Sequence, residues 1–406
     1  MDLLKKHVLF LKHNDNSSLP NINIKFADKY KSVDFQKKIF NLICVYKDQI
    51  ENNYDKWNYT KKLTNNFEMI SSSNNNFIIG VARFKPISRA YFKLWEIIKD
   101  LDLIDFNKKK IVIVGLAEGP GGFIQCIYNM RKIYTKNNED KFVCITLIDK
   151  EKTTPGWKKS HKLFQHNPSI NIYYGPSKDG DLYKRNNIEG LSNYVNNDKA
   201  DIVTADGGFD FSSDYKNQEQ LSYKLIFCEV VSAIATLKIG GNFILKIFDI
   251  FTNFNIKLIY FLTTLFIDGV YIMKPFTSRP SNSEKYIVCK KFKGIEQTYL
   301  NKLYTIIDDW DKLTKNNKFV YDIFDINVPD KFEKSIQSYN IYIVTNQLKN
   351  ILKTLSYIKL NLNYRSLDVL KQEQSIISLL WCKKYNIDIN INSRYLNKKL
   401  NNLINI

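Results

Sequence analysis

The chain has 406 residues, with 60 Lys and Arg against 41 Asp and Glu and a formal net charge of +19. Hydrophobic residues make up 44% and aromatics 14%, enough for a sizeable core and against wholesale disorder. No run approaches ~20 uninterrupted apolar residues and the LFL near the start is too short for a signal-peptide core, so the chain reads as soluble, unsecreted and without a membrane partner. The six cysteines (Cys44, Cys126, Cys144, Cys228, Cys289 and Cys382) are scattered and form no CxxC pair. That argues against a zinc site and a disulfide framework and suits a reducing compartment. The basic excess favours nucleic acid, an acidic partner or an anionic membrane. In a chain this rich in Asn, Lys, Ile and Tyr, charge alone does not choose among them.

In chain order, the pattern predicts helices over 35–52 and 54–65, a loop over the Ser/Asn run 71–76, and a helix over 88–101. From Lys110 the period changes. A β-branched strand over 111–114 runs into AEGPGGF and a helix over 124–134. Further strands are predicted over 142–148, ending in Asp149, over 170–174, and over 201–205, ending at Asp206. A long helix over 218–237 stops at the Gly240-Gly241 pair, and strands follow over 242–248, 270–275 and 285–290. Strands alternating with helices mean an α/β domain with a mainly parallel sheet. The last two strands are joined too tightly for a helical crossover, so they should be antiparallel. Beyond about residue 295 the pattern is helical, over 297–314, 335–358 and 366–385, with a low-complexity tail read as a frayed helix.

The glycine-rich turn follows a strand, at the edge where open α/β sheets bind ligands. Gly119, Gly121 and Gly122 let the backbone approach a ligand closely, Pro120 stiffens the turn, and the next helix points free N–H groups at the site. The pattern is neither GxGxxG nor GxxxxGK[ST], which disfavours a dinucleotide or triphosphate loop. Glu118 would repel a pyrophosphate and suits a ligand with a positive amino or sulfonium centre. Asp149 sits where a doubly wound fold reaches ribose hydroxyls, although a plain strand-end cap accounts for it equally well. Asp181, in SKDGDLY, is a loop acid that could hold an adenine amino group or simply face water.

Four ionisable residues fall where this fold would gather them: Lys93 on the helix before the sheet, Asp206 in ADGG, Lys246 in the apolar strand FILKIF, and Glu284 in SNSEKYIV. Lys246 is the most informative, because a lysine in a buried strand is costly unless paired or used. Two close ammonium groups should depress each other's pKa while the carboxylates orient them, leaving a lysine able to accept a hydroxyl proton. No metal is required. His7, His13, His161 and His166 lie outside every motif and read as surface residues.

Together these motifs resemble the FtsJ-like (RrmJ-type) methyltransferase superfamily, with its Rossmann-like domain and Lys-Asp-Lys-Glu tetrad. GGNFILKIFDIF, ADGGF, KNQEQLSYKLIFCEVVSAI and MKPFTSRPSNSEKYIVCKKFKG sharpen the match to the cap-specific mRNA (nucleoside-2′-O-)methyltransferases of metazoa and large DNA viruses. The resemblance runs strongly over 60–295 and patchily to about 390. It implies a Rossmann-like fold with a mainly parallel, seven-stranded sheet and an antiparallel last strand, flanked by largely helical segments. It implies S-adenosyl-L-methionine held by Ala117 to Phe123 (Ala117, Glu118, Gly119, Pro120, Gly121, Gly122, Phe123), Gly180 and Asp181. Lys246 would be the general base, helped by Lys93 and Asp206, with Glu284 supporting. Ser88, Arg89, Asn217, Gln218, Arg279 and Asn282 fall where the family contacts capped RNA, and Lys61 matches a further basic position. Tyr46 aligns with a ring that would stack on the methylguanine.

The implied activity is methylation of the 2′-oxygen of the first transcribed nucleotide of capped mRNA, with other capping enzymes or RNA polymerase as further partners. An rRNA or tRNA ribose methyltransferase of the same superfamily and an inactive RNA-binding capping subunit are the alternatives. The intact GPGGF and tetrad weigh against the inactive subunit, and TSRPSNSE with the added segments weighs against the rRNA or tRNA enzyme. The expected organisation is an N-terminal helical segment contributing to RNA binding (1–80), the methyltransferase domain (81–295) and a mostly helical C-terminal extension (296–406). An Asn-rich chain without accessory modules points to a viral or protist enzyme acting in the cytoplasm. Of its many cations, Lys61, Arg89 and Arg279 are expected at the RNA.

Overall fold

The computed structural model of the chain describes residues 4, 6–13, 19–71, 80–149, 154–209, 211, 214–360, 362–393 and 396. Two strands come first, β1 (Val8–Leu11) and β2 (Asn21–Ala27), then three helices, α1 (Lys37–Glu51), α2 (Tyr54–Leu63) and α3 (Ala90–Leu101). Strands and helices then alternate: β3 (Val112–Leu116), α4 (Gly122–Tyr134), β4 (Lys141–Ile145), α5 (His161–Gln165), β5 (Ile170–Ile172), α6 (Arg185–Tyr194) and β6 (Ala200–Ala205). They continue as α7 (Gln218–Leu221), α8 (Tyr223–Thr236), β7 (Leu237–Ile247), α9 (Asn253–Leu265), β8 (Val270–Met273) and β9 (Lys285–Cys289). The chain closes with α10 (Gln297–Lys315), β10 (Phe319–Asp325), α11 (Asp330–Leu360) and α12 (Tyr364–Lys384).

The main sheet has eight strands in the order β1-β8-β9-β7-β6-β3-β4-β5. β7, β6, β3, β4 and β5 run parallel, β9 is antiparallel between β7 and β8, and β1 pairs antiparallel with β8. The fold is the Rossmann-like α/β architecture expected, with one strand more than seven. The extra strand is β1, four residues whose short apolar run gave no strand-length signal. The flanking segments are not purely helical either, since β2 and β10 pair into a second, two-stranded sheet.

Successive residues of β3 serve opposite faces, as a pleated strand requires. Val114 and Leu116 join one core with α6, α8, α9 and α10, while Ile113 joins another with α3, α4 and α12. Both faces of the sheet are therefore covered. In the second core Trp381 of α12 packs edge-on against Phe92 of α3 at 5.7 Å between ring centroids, and its indole N–H donates to Glu96 at 3.2 Å. A third, smaller core joins α1 and α2 to α11 through Ile43, Trp57, Val344 and Ile351.

Other departures from the expected elements have local causes. β4 ends at Ile145 rather than 148, because the Ile148 N–H turns to donate to Asp179 O at 2.7 Å. The helix expected over 218–237 is two, α7 and α8, broken at Ser222, whose hydroxyl donates back to Glu219 O. α6, α9 and β10 are elements that periodicity did not single out. The tail expected as a helix carries an isolated bridge, Ala82 to Ile389, with turns after it, and 397–406 lie outside the described residues, as do 72–76 of the Ser/Asn run.

Candidate active site

Strand register gathers the ionisable residues at one end of the sheet. Ala205 of β6 pairs with Leu245 of β7, so Asp206 and Lys246 follow side by side at the carboxyl ends of parallel strands. Lys246 in turn pairs with Tyr286, and Ile247 with Lys285, which brings Glu284 alongside at the start of β9. Lys246 shares its strand face with Ile244, which belongs to the core beneath α3, so it projects on the side of Lys93. Asp206, Lys246 and Glu284 are thus placed by strand register before any side-chain contact forms.

The contacts then link them. Lys246 Nζ lies 3.3 Å from Asp206 Oδ1 and donates to Asp206 O at 2.7 Å. Lys93 Nζ lies 2.7 Å from Glu284 Oε1. The Tyr286 hydroxyl donates to Asp206 Oδ1 at 3.0 Å and the Ser278 hydroxyl to Glu284 Oε1 at 2.8 Å. Burial alone would raise the Glu284 pKa, but Lys93, Lys246 and Lys274 outweigh it and hold the carboxyl down at about 2. For Lys246 the direction is opposite to the one expected. Burial disfavours its charge, yet Asp206, Glu284 and Glu229 overcome that and raise it above an ordinary lysine. The acids around this ammonium stabilise its charge more than burial disfavours it. The downward-tuned lysine is instead Lys274, which burial pulls to about 7 although Glu284 opposes the shift. Its ammonium donates to Glu284 O at 2.8 Å and to Asn282 Oδ1 at 2.6 Å.

The glycine turn lies next to these residues. Ala117 and Gly121 take positive φ, 50° and 98°, and α4 starts at Gly122 with its first amides free of helical acceptors. A Cβ on Gly119 would come within 3.0 Å of the Gly156 backbone, so the turn and the 154–157 loop close on each other only through glycine. The hydroxyl of Ser160 donates to Pro120 O. Gly180, with φ 65°, packs directly against Thr146 O, which brings the Asp149 and Asp181 loops together. Asp149 accepts from the Thr154 N–H at 2.8 Å, and Asp181 accepts from the Tyr183 N–H at 2.9 Å, its pKa raised by burial. A backbone cradle at a helix start, flanked by two carboxylates on adjoining loops, fits a ligand with an amino-acid end and a nucleoside end.

Two residues of the turn do not face outward as expected. Glu118 is 3% exposed and its carboxyl is hydrogen-bonded to the Thr204 hydroxyl, with Oε2 buried and unpartnered. Burial raises its pKa well above the carboxylate range, so it does not supply the negative charge foreseen for it. Phe123 is 1% exposed and packs near Tyr286, so only its backbone can meet a ligand.

Of the residues expected at RNA, three converge. Arg279 donates to Glu68 at 2.8 and 3.2 Å, Arg89 lies 3.6 Å from the same carboxylate, and Lys61 feels Arg279 closely enough that, after burial, it is the main cause of a lowered pKa. Ser88 Oγ is buried without a partner beside Gly122. Gln218 accepts from the Ser283 hydroxyl at 2.8 Å, and Asn282 holds Lys274, so both belong to the wall around Glu284. Asn217 turns instead to Asp214, at 3.0 Å. Tyr46 packs against the small core under α1, and no described contact joins it to the other site residues.

Sequence reasoning missed the acids that hold this site in shape. Glu96 is fully buried and accepts from the Phe276 N–H, the Thr277 N–H and hydroxyl, and Trp381. Its signal was a glutamate on the apolar face of α3, between Trp95 and Ile97. Glu229 accepts from the Gly207 N–H at 3.1 Å beneath Asp206, and burial raises its pKa to about 8. Glu68 carried no signal beyond its place in NNFEMI.

A doubly wound sheet, a glycine cradle at its carboxyl edge and a Lys-Asp-Lys-Glu cluster beside that cradle define a Rossmann-like methyltransferase domain. Residues 86–292, about half the chain, match the FtsJ-like methyltransferase family, and the chain belongs to it. Methyl donation in this family comes from S-adenosylmethionine, and the cradle just described fits that cofactor. The chain is 33% identical over 221 residues to the cap-specific mRNA (nucleoside-2′-O-)-methyltransferase 1 of Drosophila melanogaster, covering 52% of this chain and 26% of that protein. It is 28% identical over 271 residues to the cap-specific mRNA (nucleoside-2′-O-)-methyltransferase 2 of Mus musculus, covering 65% of this chain and 35% of that protein. It thus spans about a quarter to a third of the length of these relatives. Among solved structures, a ribosomal RNA methyltransferase of Plasmodium falciparum is 22% identical with a TM-score of 0.36, covering 51% of this chain and 99% of that one, too distant to argue from.

Proposed function

We propose that the chain methylates the ribose 2′-oxygen of the first transcribed nucleotide of a capped RNA, in the Lys93, Asp206, Lys246 and Glu284 site. The observation that carries this reading is the pair of ion pairs, Lys246 with Asp206 and Lys93 with Glu284, held at the sheet edge beside the glycine cradle. Its cap specificity is supported by the names of the relatives, and its preference for RNA by the cluster of Lys61, Arg89 and Arg279 around Glu68.

Ala117 to Phe123 would hold the methionine end of S-adenosylmethionine through backbone groups, and Asp149 and Asp181 its nucleoside. When bound, that cofactor supplies a methyl carbon on a sulfonium for in-line attack by the ribose oxygen. Lys246 enters as an ammonium, so its first task is to hold the 2′-oxygen by a donated hydrogen bond. As the oxygen loses its proton, Lys246 takes it and passes one of its own to Asp206 Oδ1, 3.3 Å away. The pair, rather than the lysine alone, is the net acceptor. Lys93 and Glu284 fix the second side of the oxygen's position, and most of the acceleration would come from alignment.

The test is incubation with labelled S-adenosylmethionine and short RNAs ending in m7GpppA, m7GpppG, GpppA or no cap, followed by nuclease digestion to locate the methyl. The expected product is a 2′-O-methyl on the first nucleotide of the capped RNAs. Equal labelling of uncapped RNA would make the chain an rRNA or tRNA type of enzyme. Cofactor binding without any label would make it an inactive subunit.

A further inference from the structure

Beyond the tetrad, the wall around Glu284 has a second side. Lys274 and Ser278, which both hold Glu284, also line a cavity of about 350 Å³ that none of the expected site residues enters. Its floor is aromatic: the rings of Phe67 and Phe276 lie 5.1 Å apart at 31°. Its far wall is one face of α11, where Tyr342, Lys349 and Lys353 recur at helical spacing. Lys349 and Lys353 are exposed, and among the described residues neither is paired with a carboxylate. Asn350, beside them, donates to Thr64 O at 3.0 Å while its own Oδ1 is buried with no partner, an acceptor left waiting for a donor.

The chemistry of this cavity is selective. Four lysines line it (Lys6, Lys274, Lys349 and Lys353) and no Asp or Glu does. Lys6 is neutralised from behind by Glu96 and Asp100, and Lys274 gives its donors to Asn282 and Glu284, which leaves the free positive charge on the α11 side. A 7-methylguanine ring is itself a cation and would be repelled by a cavity lined with lysines and no carboxylate. Unpaired ammonium groups opposite an aromatic floor suit a phosphodiester strand with an unstacked base.

We propose that this cavity receives the RNA on the 3′ side of the reacting ribose, with its phosphates on Lys349 and Lys353 and a base against Phe67 and Phe276. This rests on the reading of the chain as a ribose methyltransferase and gives α11, which lies outside the matched family region, a part in holding substrate. The strand leaves the tetrad past Glu284 and Lys274, and the Asn350 Oδ1 accepts from a ribose hydroxyl or a base amine.

The experiment compares the full chain with the Lys349→Glu/Lys353→Glu double variant on two substrates, the m7GpppA dinucleotide and an m7GpppA-capped RNA of about twelve nucleotides, within the range one such groove covers. The parent should prefer the long substrate. In the variant the ratio of kcat/KM on long over short should fall by about tenfold or more, chiefly through KM for the long RNA. The salt dependence on the long RNA should flatten by roughly 1.4, about 0.7 for each lost phosphate contact on a single strand. A Lys312→Glu/Lys315→Glu variant on α10, which lines no part of the cavity, should keep the parent's ratio. An unchanged ratio in the first variant, or the same fall in the control, overturns the proposal. If the parent methylates no capped RNA at all, the functional reading fails. The cavity is then judged by anisotropy of a fluorescent uncapped RNA of the same length, where equal binding by parent and Lys349→Glu/Lys353→Glu overturns it.

Discussion

Lys246 and Glu284 are bound into one electrostatic unit, and their removal should have different consequences. Lys246→Ala should abolish methyl transfer while leaving S-adenosylmethionine binding, measured by calorimetry, nearly unchanged, since the lysine holds the acceptor and not the cradle. Glu284→Gln should lose both activity and stability, because Lys93, Lys246 and Lys274 would face one another without their carboxylate. The folded pKa of Glu284, about 2, lies below its ordinary 4.5. Its stabilisation is therefore complete above pH 4.5 and is lost as pH falls towards 2, up to about 3 kcal/mol. Glu229 has the opposite sign. Raised to about 8, it contributes stability that is present below its ordinary 4.5 and lost as pH rises through 8. Glu229→Gln keeps an acceptor for the Gly207 N–H and removes the buried charge, so thermal unfolding at pH 9 should show it more stable than the parent by on the order of 2 kcal/mol, with little difference at pH 5. Glu229→Ala should be less stable at both.

At the scale of elements, α12 behaves as part of the domain core and not as an appendage. Trp381 is fully buried, packs edge-on against Phe92 of α3 and donates to Glu96, three residues from Lys93. Trp381→Ala should cost about 3–5 kcal/mol in denaturant unfolding. It should also lower kcat more than it changes cofactor binding, because Glu96 anchors the 275–278 segment that supports Glu284. Legibility followed the same division. The parallel strands and the long C-terminal helices were readable because period and length were strong in each. Short β1 and the alternating β10 were not, since each makes sense only beside a strand far away in sequence. The tetrad was readable because Lys246 is anomalous where it stands. The buried glutamates beneath it were not, because an acid in NNFEMI or LWEII looks ordinary until its partners arrive. The sign of the Lys246 shift was misjudged because the reading weighed lysine against lysine, while Asp206 and Glu284, both already in the tetrad, outweigh burial, with Glu229 adding to them from a helix that gave no hint of facing the site.

For the whole molecule, the net charge of +19 separates into parts. Ion pairs on the surface, such as Lys109 with Glu139 and Lys312 with Asp309, add nothing to that excess and contribute little to stability. The part that the proposed RNA path would use is concentrated at Lys61, Arg89 and Arg279 on one side of Glu284 and along α11 on the other. Arg279→Ala should weaken capped RNA in filter binding and flatten its salt dependence by roughly 0.7, as for one lost phosphate contact on a single strand. Equal affinity and an equal slope would remove Arg279 from the RNA path.

The junction on α3 also bears on when the protein can become functional during its own synthesis. Glu96 takes Lys6 from the first described strand's approach and Trp381 from the last described helix. Until the ribosome has released α12, the helix carrying Lys93 lacks its lid, the faces of Phe92 and Trp95 that α12 covers lie open, and Glu96 lacks the Trp381 indole among its donors. The sheet can form from the middle outwards as the chain emerges, but the reactive end of it is finished last. In the emerging chain the glycine turn between β3 and α4 is thus complete well before α12 closes over the helix that carries Lys93.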